Sequence, residues 1–122
     1  MTLADDVQRS AATIRTRAPQ RTPRVGIVLG SGWQGVVAHL DEPTTIAYNE
    51  LPAFPVVGVA GHAGQLILGR LGGTEVAVLA GREHTYEDGR ADAMKGALRT
   101  LAALNVPTLV LTNAAGSLNP QM

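Results

Sequence analysis

Apolar residues at the start of the chain recur every three to four positions: Leu3, Val7, Ala11, Ile14 and Ala18. That period predicts an amphipathic helix from Thr2 to about Arg17, with Thr2 as N-cap and Asp5 and Asp6 at the positive end of the helix dipole. The prolines of APQRTP (18–23) cannot continue it. The pattern then changes. RVGIVL (24–29), QLILGRL (65–71), TEVAVLA (74–80) and TLVLT (108–112) are short, near-continuous apolar runs, which read as buried strands. Gly72-Gly73 between the second and third is a strong hairpin signal. TTIAYNE (44–50) reads as an edge strand, followed by a proline-punctuated loop over 51–64. Trp33 to Leu40 offers two turns of helix, stopped by DEP at 41–43. Helical spacing returns over Ala91 to Leu104 through Met94, Ala97, Leu98, Leu101 and Leu104, and Asn105 and Pro107 end it.

Strands of this kind, interleaved with helices, predict an α/β fold whose sheet is covered on both faces. The 122 residues fit one small domain with a real core. Yet the chain stops just after a strand and a glycine-containing turn, where a covering helix would ordinarily follow. The expectation is therefore the N-terminal part of a single larger domain, with a sheet incomplete at its C-terminal side.

Composition narrows the chemistry. Hydrophobic residues make up 45% and charged residues 16%, as in a well-buried globular protein. Ten basic and ten acidic residues cancel, leaving no electrostatic footprint for nucleic acid or an anionic membrane. The absence of cysteine excludes disulfide frameworks, zinc ribbons and thiol catalysis. No apolar run reaches the length of a spanning helix, and the start of the chain, with Asp5 and Asp6, does not resemble a signal peptide. A cytoplasmic protein is the expectation.

The unusual residues gather after three of the apolar runs. RVGIVL leads into Gly30-Ser31-Gly32, TEVAVLA into Gly81-Arg82-Glu83-His84-Thr85-Tyr86, and TLVLT into Asn113-Ala114-Ala115-Gly116. Ligands of open α/β sheets sit beyond the carboxyl ends of the strands. If these strands are parallel neighbours, their turns share one site. Small residues let backbone N–H groups approach an oxyanion, and Ser31 adds a hydroxyl donor. A helix beginning near Trp33 would contribute its N-terminal field. Arg82 supplies a permanent cation with a planar donor fork suited to phosphate. In an extended segment Arg82, His84 and Tyr86 share one face over about 13 Å, at roughly 3.3 Å per residue, enough for a phosphate and a sugar.

Each residue has a plainer reading. Ser31 and its glycines can be a simple tight turn, Arg82 a surface ion pair, His84 a structural histidine, and Tyr86 and Trp33 packing aromatics. His62, bracketed by Gly61 and Gly64, sits in a loop equally suited to a lid or a connector. His39 looks like a helix-end residue. Histidines this sparse, with no carboxylate pattern beside them, make a poor metal site. Only the coincidence of three strand ends raises phosphate binding above these alternatives. Gly30 to Gly35 also matches G-x-G-x-x-G, with Glu50 twenty residues past Gly30. A dinucleotide fold, however, needs a long crossover helix and a strand ending at the acid, and neither is present. The turn fits a phosphate rather than a pyrophosphate.

Four stretches carry a resemblance: VLGSG (28–32), FP…VAGHAG (54–64), AGREHTYE (80–87) and LTNAAGSLNP (111–120). In order and spacing they resemble the motifs of purine nucleoside phosphorylases of the homotrimeric, low-molecular-mass type. The resemblance implies a mixed, largely parallel sheet flanked by helices. It also implies a pentosyltransferase that converts purine (deoxy)ribonucleosides and phosphate into free base and (deoxy)ribose 1-phosphate. Carried over, Ser31, Arg82 and His84 would be the catalytic phosphate ligands, with the Ala114 N–H as a further donor and His62 in the loop over the phosphate. Tyr86 would meet the ribose, Ala115 and Gly116 would underlie the purine, and Asn113 and Glu87 would brace the site. Phosphate is a co-substrate, and no cofactor or metal is implied. The partners implied are purine nucleoside, phosphate and two further copies of the chain, with no nucleic acid or membrane. Departures are Gly58, Asp88 and Ser117. In the family an Asn and a Glu from a later segment serve the departing purine. This sequence contains no such segment, so the 122-residue chain alone is expected to be inactive. Two other readings remain: a methylthioadenosine-type phosphorylase, and a non-catalytic phosphate- or nucleotide-binding fragment.

Overall fold

Thr2 caps the first helix as its sequence predicts. In the computed structural model, which describes residues 2–29, 34–54, 64–80 and 95–111, helix α1 spans Leu3–Arg17. The Asp5 N–H donates to Thr2 Oγ1 at 3.1 Å, and the Thr2 N–H donates to the Asp5 carboxylate at 3.3 Å. This reciprocal box satisfies two of the donors that a helix start leaves unpaired. The strands are β1 (Val25–Val28), β2 (Asp41–Ala47), β3 (Gln65–Leu71), β4 (Thr74–Ala80) and β5 (Thr108–Leu111), with helix α2 (Lys95–Ala103) before β5. The predicted residues Ala91 to Met94 of that helix lie outside the described residues.

The sheet has the order β2-β3-β4-β1-β5. β1 lies between β4 and β5 and is parallel to both, whereas β2-β3 and β3-β4 are antiparallel. The α/β class and the mixed sheet are as expected. Two of the four described pairings are parallel. The β3-β4 hairpin turns on Gly72 and Gly73, with φ of 59° and 86°. A two-residue turn matching the strand twist needs positive φ at both central positions, which glycine adopts without a Cβ clash.

Alternation within the apolar runs splits the core between the two faces. Ile46, Leu66, Leu68, Ala77 and Leu79 pack on one face with Val7 and Ile14 of α1 and Ala97 and Leu101 of α2. Ile27, Leu29, Ile67, Val76 and Val78 face the other way, joined by Leu40 and by Val36 and Val37. Burial on both faces is why these strands read as nearly unbroken hydrophobic runs. Helix α2 ends in a left-handed turn at Asn105 (φ 64°), where the Val106 N–H donates to the Leu101 carbonyl and the Asn105 N–H to that of Ala102. This is the paired bonding of a Schellman end, and asparagine tolerates its backbone.

Two boundaries differ from expectation. The segment after Trp33 forms a 3₁₀ helix over Gln34–His39 rather than two α-turns. Gly35 and the β-branched Val36 and Val37 are poor α-formers. The strand expected at 44–50 runs instead from Asp41 to Ala47, and 48–50 forms a 3₁₀ turn. Asp-Glu-Pro therefore starts a strand as well as stopping a helix. Pro43 is tolerated because β2 is an edge strand. Its register shifts between Asp41 and Thr44, and Glu42 takes a φ of 51°. Arg21 donates to the Glu42 carbonyl and Arg70 to its carboxylate, which pins this irregular start. At the opposite edge, β5 exposes Leu109 (44%), Val110 (42%) and Leu111 (64%), the uncovered apolar strand expected from the sequence.

Candidate phosphate-binding edge

Register brings the candidate segments to one end of the sheet. Val28 pairs with Leu79 on one side and Leu111 on the other, so β1, β4 and β5 end level with one another. The Leu29 N–H donates to the Leu79 carbonyl at 3.1 Å, extending the pairing to the last residue before Gly30. On the far side of β4, Ala80 pairs with Gln65, the first residue of β3. The Gly64 end of the GHAG stretch therefore enters at the same end of the sheet. Strands β3, β4, β1 and β5 lie side by side, and three steps of about 4.8 Å place their four ends within roughly 14 Å. The condition on which the shared site rested, that β1, β4 and β5 be parallel neighbours, is met.

Ser31, His62, Arg82, His84, Tyr86, Glu87, Asn113, Ala114, Ala115 and Gly116 themselves lie outside the described residues. The described strand ends next to them in sequence are ordered across the sheet: β3, which follows His62; β4, which precedes Arg82 and His84; β1, which precedes Ser31; and β5, which precedes Ala114.

The described strands carry their carboxylates away from this end. The carboxylates on the described strands, Asp41, Glu42 and Glu75, lie toward the other end, where Asp41 and Glu75 both pair across to Arg70. There Arg21 bonds the Glu75 carboxylate at 2.9 Å in a half-buried ion pair. Glu50 stands nearer the candidate edge, but Arg17 of α1 holds its carboxylate at 2.5 Å. That exposed pair ties Glu50 to α1. The sheet order removes the dinucleotide reading, because β2 is separated from β1 by two strands and pairs antiparallel to β3. His39 is exposed at the end of the 3₁₀ helix. Among the described residues, no three His, Cys, Asp or Glu side chains cluster as metal ligands, and no helix is long and apolar enough to cross a membrane.

The sequence profile of the phosphorylase superfamily matches residues 24–122. The chain belongs to the phosphorylase superfamily. Among characterised phosphorylases it is 39% identical to purine nucleoside phosphorylase 1 of Bacillus subtilis over 119 residues, covering 98% of this chain and 44% of that protein. It is 42% identical to the purine nucleoside phosphorylase of Rattus norvegicus over 117 residues, covering 96% of this chain and 40% of that one. The fold matches a purine nucleoside phosphorylase crystallised with ribose-1-phosphate at a TM-score of 0.86 and 35% identity, over 100% of this chain and 45% of the other. It matches the Schistosoma mansoni purine nucleoside phosphorylase in complex with inosine at a TM-score of 0.84 and 35% identity, over 100% of this chain and 42% of the other. This phosphorylase chain thus spans less than half the length of these relatives.

One feature of the edge was missed in the sequence. Residues 51–64 read as a loop, but their first part is a buried ledge. The Leu51 N–H donates to the Tyr48 carbonyl at 2.9 Å, and the Phe54 N–H to that of Leu51 at 3.0 Å. Tyr48, Leu51 and Phe54, spaced by three, are all buried. That spacing was the available signal, and Pro52 and Pro55 obscured it.

Proposed function

We propose that this chain supplies the phosphate-binding half of a purine nucleoside phosphorylase, which splits purine (deoxy)ribonucleosides with phosphate into base and (deoxy)ribose 1-phosphate. The observation that supports the reading is the register that sets level the ends of β1, β3, β4 and β5, the strands next in sequence to Ser31, His62, Arg82 and Ala114. The relatives' names and their complexes with ribose-1-phosphate and inosine support the substrate class.

The mechanism follows from charge. Breaking the glycosidic bond builds positive charge on the sugar, as in glycoside hydrolysis. A phosphate dianion held beneath the ring stabilises that cation and then forms the new C–O bond, while the electron pair of the broken bond leaves with the purine. Arg82 gives phosphate a fixed charged fork, Ser31 a hydroxyl donor, His84 a ring donor and Ala114 a backbone N–H. Much of their effect is positional, because they hold the nucleophile at attack distance. Tyr86 contacts the ribose, Ala115 and Gly116 lie under the base, and Glu87 and Asn113 brace the turns. In this reading the enzyme works as a cytoplasmic homotrimer without metal or cofactor.

The activity belongs to a protein that joins this chain to the remaining length of its relatives. Such a protein is expected to release hypoxanthine from inosine only when phosphate is supplied, whereas the purified 122-residue chain releases none. Chromatography of hypoxanthine and ribose 1-phosphate checks both. Phosphate-dependent turnover by the 122-residue chain alone would overturn the division of labour and turn attention to Glu83, Glu87 and Asp88 as leaving-group acids.

A further inference from the structure

The ledge from Tyr48 to Phe54 touches Gly64 and the start of α2, the described residues that follow 55–63 and 81–94. Phe54 immediately precedes residues 55–63, and Gly64 immediately follows them. Tyr48 grips both. Its ring lies 5.1 Å from that of Phe54, tilted by 50°. Its N–H donates to the Gly64 carbonyl at 2.9 Å. A Cβ on Gly64 would lie 2.2 and 2.3 Å from Cδ2 and Cε2 of the Tyr48 ring, so the ring rests directly on the Gly64 backbone. The same ledge reaches the start of α2, which follows residues 81–94 in the sequence. A Cβ on Gly96, two residues past the end of 81–94, would lie 2.1 Å from the Ala53 carbonyl oxygen. The ledge is in turn fixed to α1, because the Ala53 N–H donates to the buried Ser10 Oγ at 2.9 Å.

We propose that the Tyr48–Phe54 ledge is a shared positioning element that sets Phe54 and Gly64, the flanks of 55–63, against the start of α2 that follows 81–94, with the Tyr48 ring as its positioning residue. The proposal rests on the reading that both segments serve one phosphate site. The ring rather than the hydroxyl does the positioning. The hydroxyl is buried with no hydrogen-bond partner among the described residues. Burial raises the phenol pKa above its usual value, so the group stays neutral and offers the site no charge. A buried hydroxyl without a partner costs its desolvation, and phenylalanine keeps the ring's packing without that cost.

The test uses Tyr48→Leu, Tyr48→Phe and Ser10→Ala in the protein that joins this chain to the rest of its relatives' length. Hydrogen exchange of peptides spanning 55–63 and 81–94 is followed beside the KM for phosphate and kcat. Tyr48→Leu is expected to speed exchange in both peptides and to raise the phosphate KM by about tenfold, more than it lowers kcat. Tyr48→Phe restores both readouts. Ser10→Ala frees the ledge without removing the ring, and gives a smaller rise in both peptides should the leucine variant not fold. Faster exchange in only one peptide, or failure of Tyr48→Phe to restore it, overturns the proposal. Absence of phosphorolysis in the parent protein would instead defeat the proposed function, and the exchange data would still report on the ledge.

Discussion

Gly96→Ala is expected to destabilise the domain more than any other glycine-to-alanine change in α2 or the sheet. Gly96 is buried in the first turn of α2, and its missing Cβ is the space that Ala53 occupies. The opposing atoms are backbone: the carbonyl oxygen at 2.1 Å and carbonyl carbon at 3.0 Å from the built Cβ. A flexible side chain could swing away, as Leu101 can opposite Gly26, but the Ala53 carbonyl cannot: the N–H of its own peptide, that of Phe54, donates to the Leu51 carbonyl, and the Ala53 N–H donates to Ser10. Relief requires α2 to back away from the ledge, which opens the core around Ala97 and Leu101. The cost should reach the upper end of the ~1–3 kcal/mol typical of overpacking. Gly35→Ala is the control, because its Cβ would meet nothing within 4 Å. Urea denaturation should show a large fall in midpoint for Gly96→Ala and almost none for Gly35→Ala. Equal midpoints would mean that α2 does not approach the ledge this closely.

The largest catalytic effect is expected from Arg82→Ala in the protein that joins this chain to the rest of its relatives' length. The end of β4 that leads into Arg82 is opposite the end that carries the described strand carboxylates, and the role proposed for Arg82 is that of the phosphate's cation. Removing it takes away a charge-assisted, bidentate contact to phosphate. The phosphate-dependent kcat/KM should fall by about 100-fold or more, on the scale of losing a transition-state charge donor. His84→Ala should cost less, since it removes one donor and no permanent charge. Steady-state kinetics at low phosphate decide the matter, and near-normal rates for both variants would contradict the assigned roles.

Much of the fold was legible because local signals and burial agreed. The period of α1 and its Thr2 N-cap, the Gly72-Gly73 hairpin and the apolar β1, β4 and β5 each pointed one way. β2 was misplaced because its start depends on partners distant in sequence: Arg21 and Arg70 hold Glu42 in a backbone that its own residues disfavour. The Tyr48–Phe54 ledge stayed hidden for a similar reason, since its turns are fixed by Ser10 on α1 and by Gly64 and Gly96. Strand order is likewise tertiary. Nothing within RVGIVL says that it lies between β4 and β5, and that placement alone joins the candidate segments. The candidate residues were legible as motifs because turns that admit an oxyanion need small residues and donors. Their side chains lie outside the described residues, so the structure bears on them through the strand ends that carry them.

The most direct measurement of the central claim is the position of a bound phosphate in a crystal structure of the protein that joins this chain to the rest of its relatives' length. Phosphate is predicted beyond the carboxyl ends of β1, β4 and β5, within hydrogen-bonding distance of Ser31, Arg82, His84 and the Ala114 N–H. Phosphate bound elsewhere, or these four groups found on opposite faces of the sheet, would contradict the account.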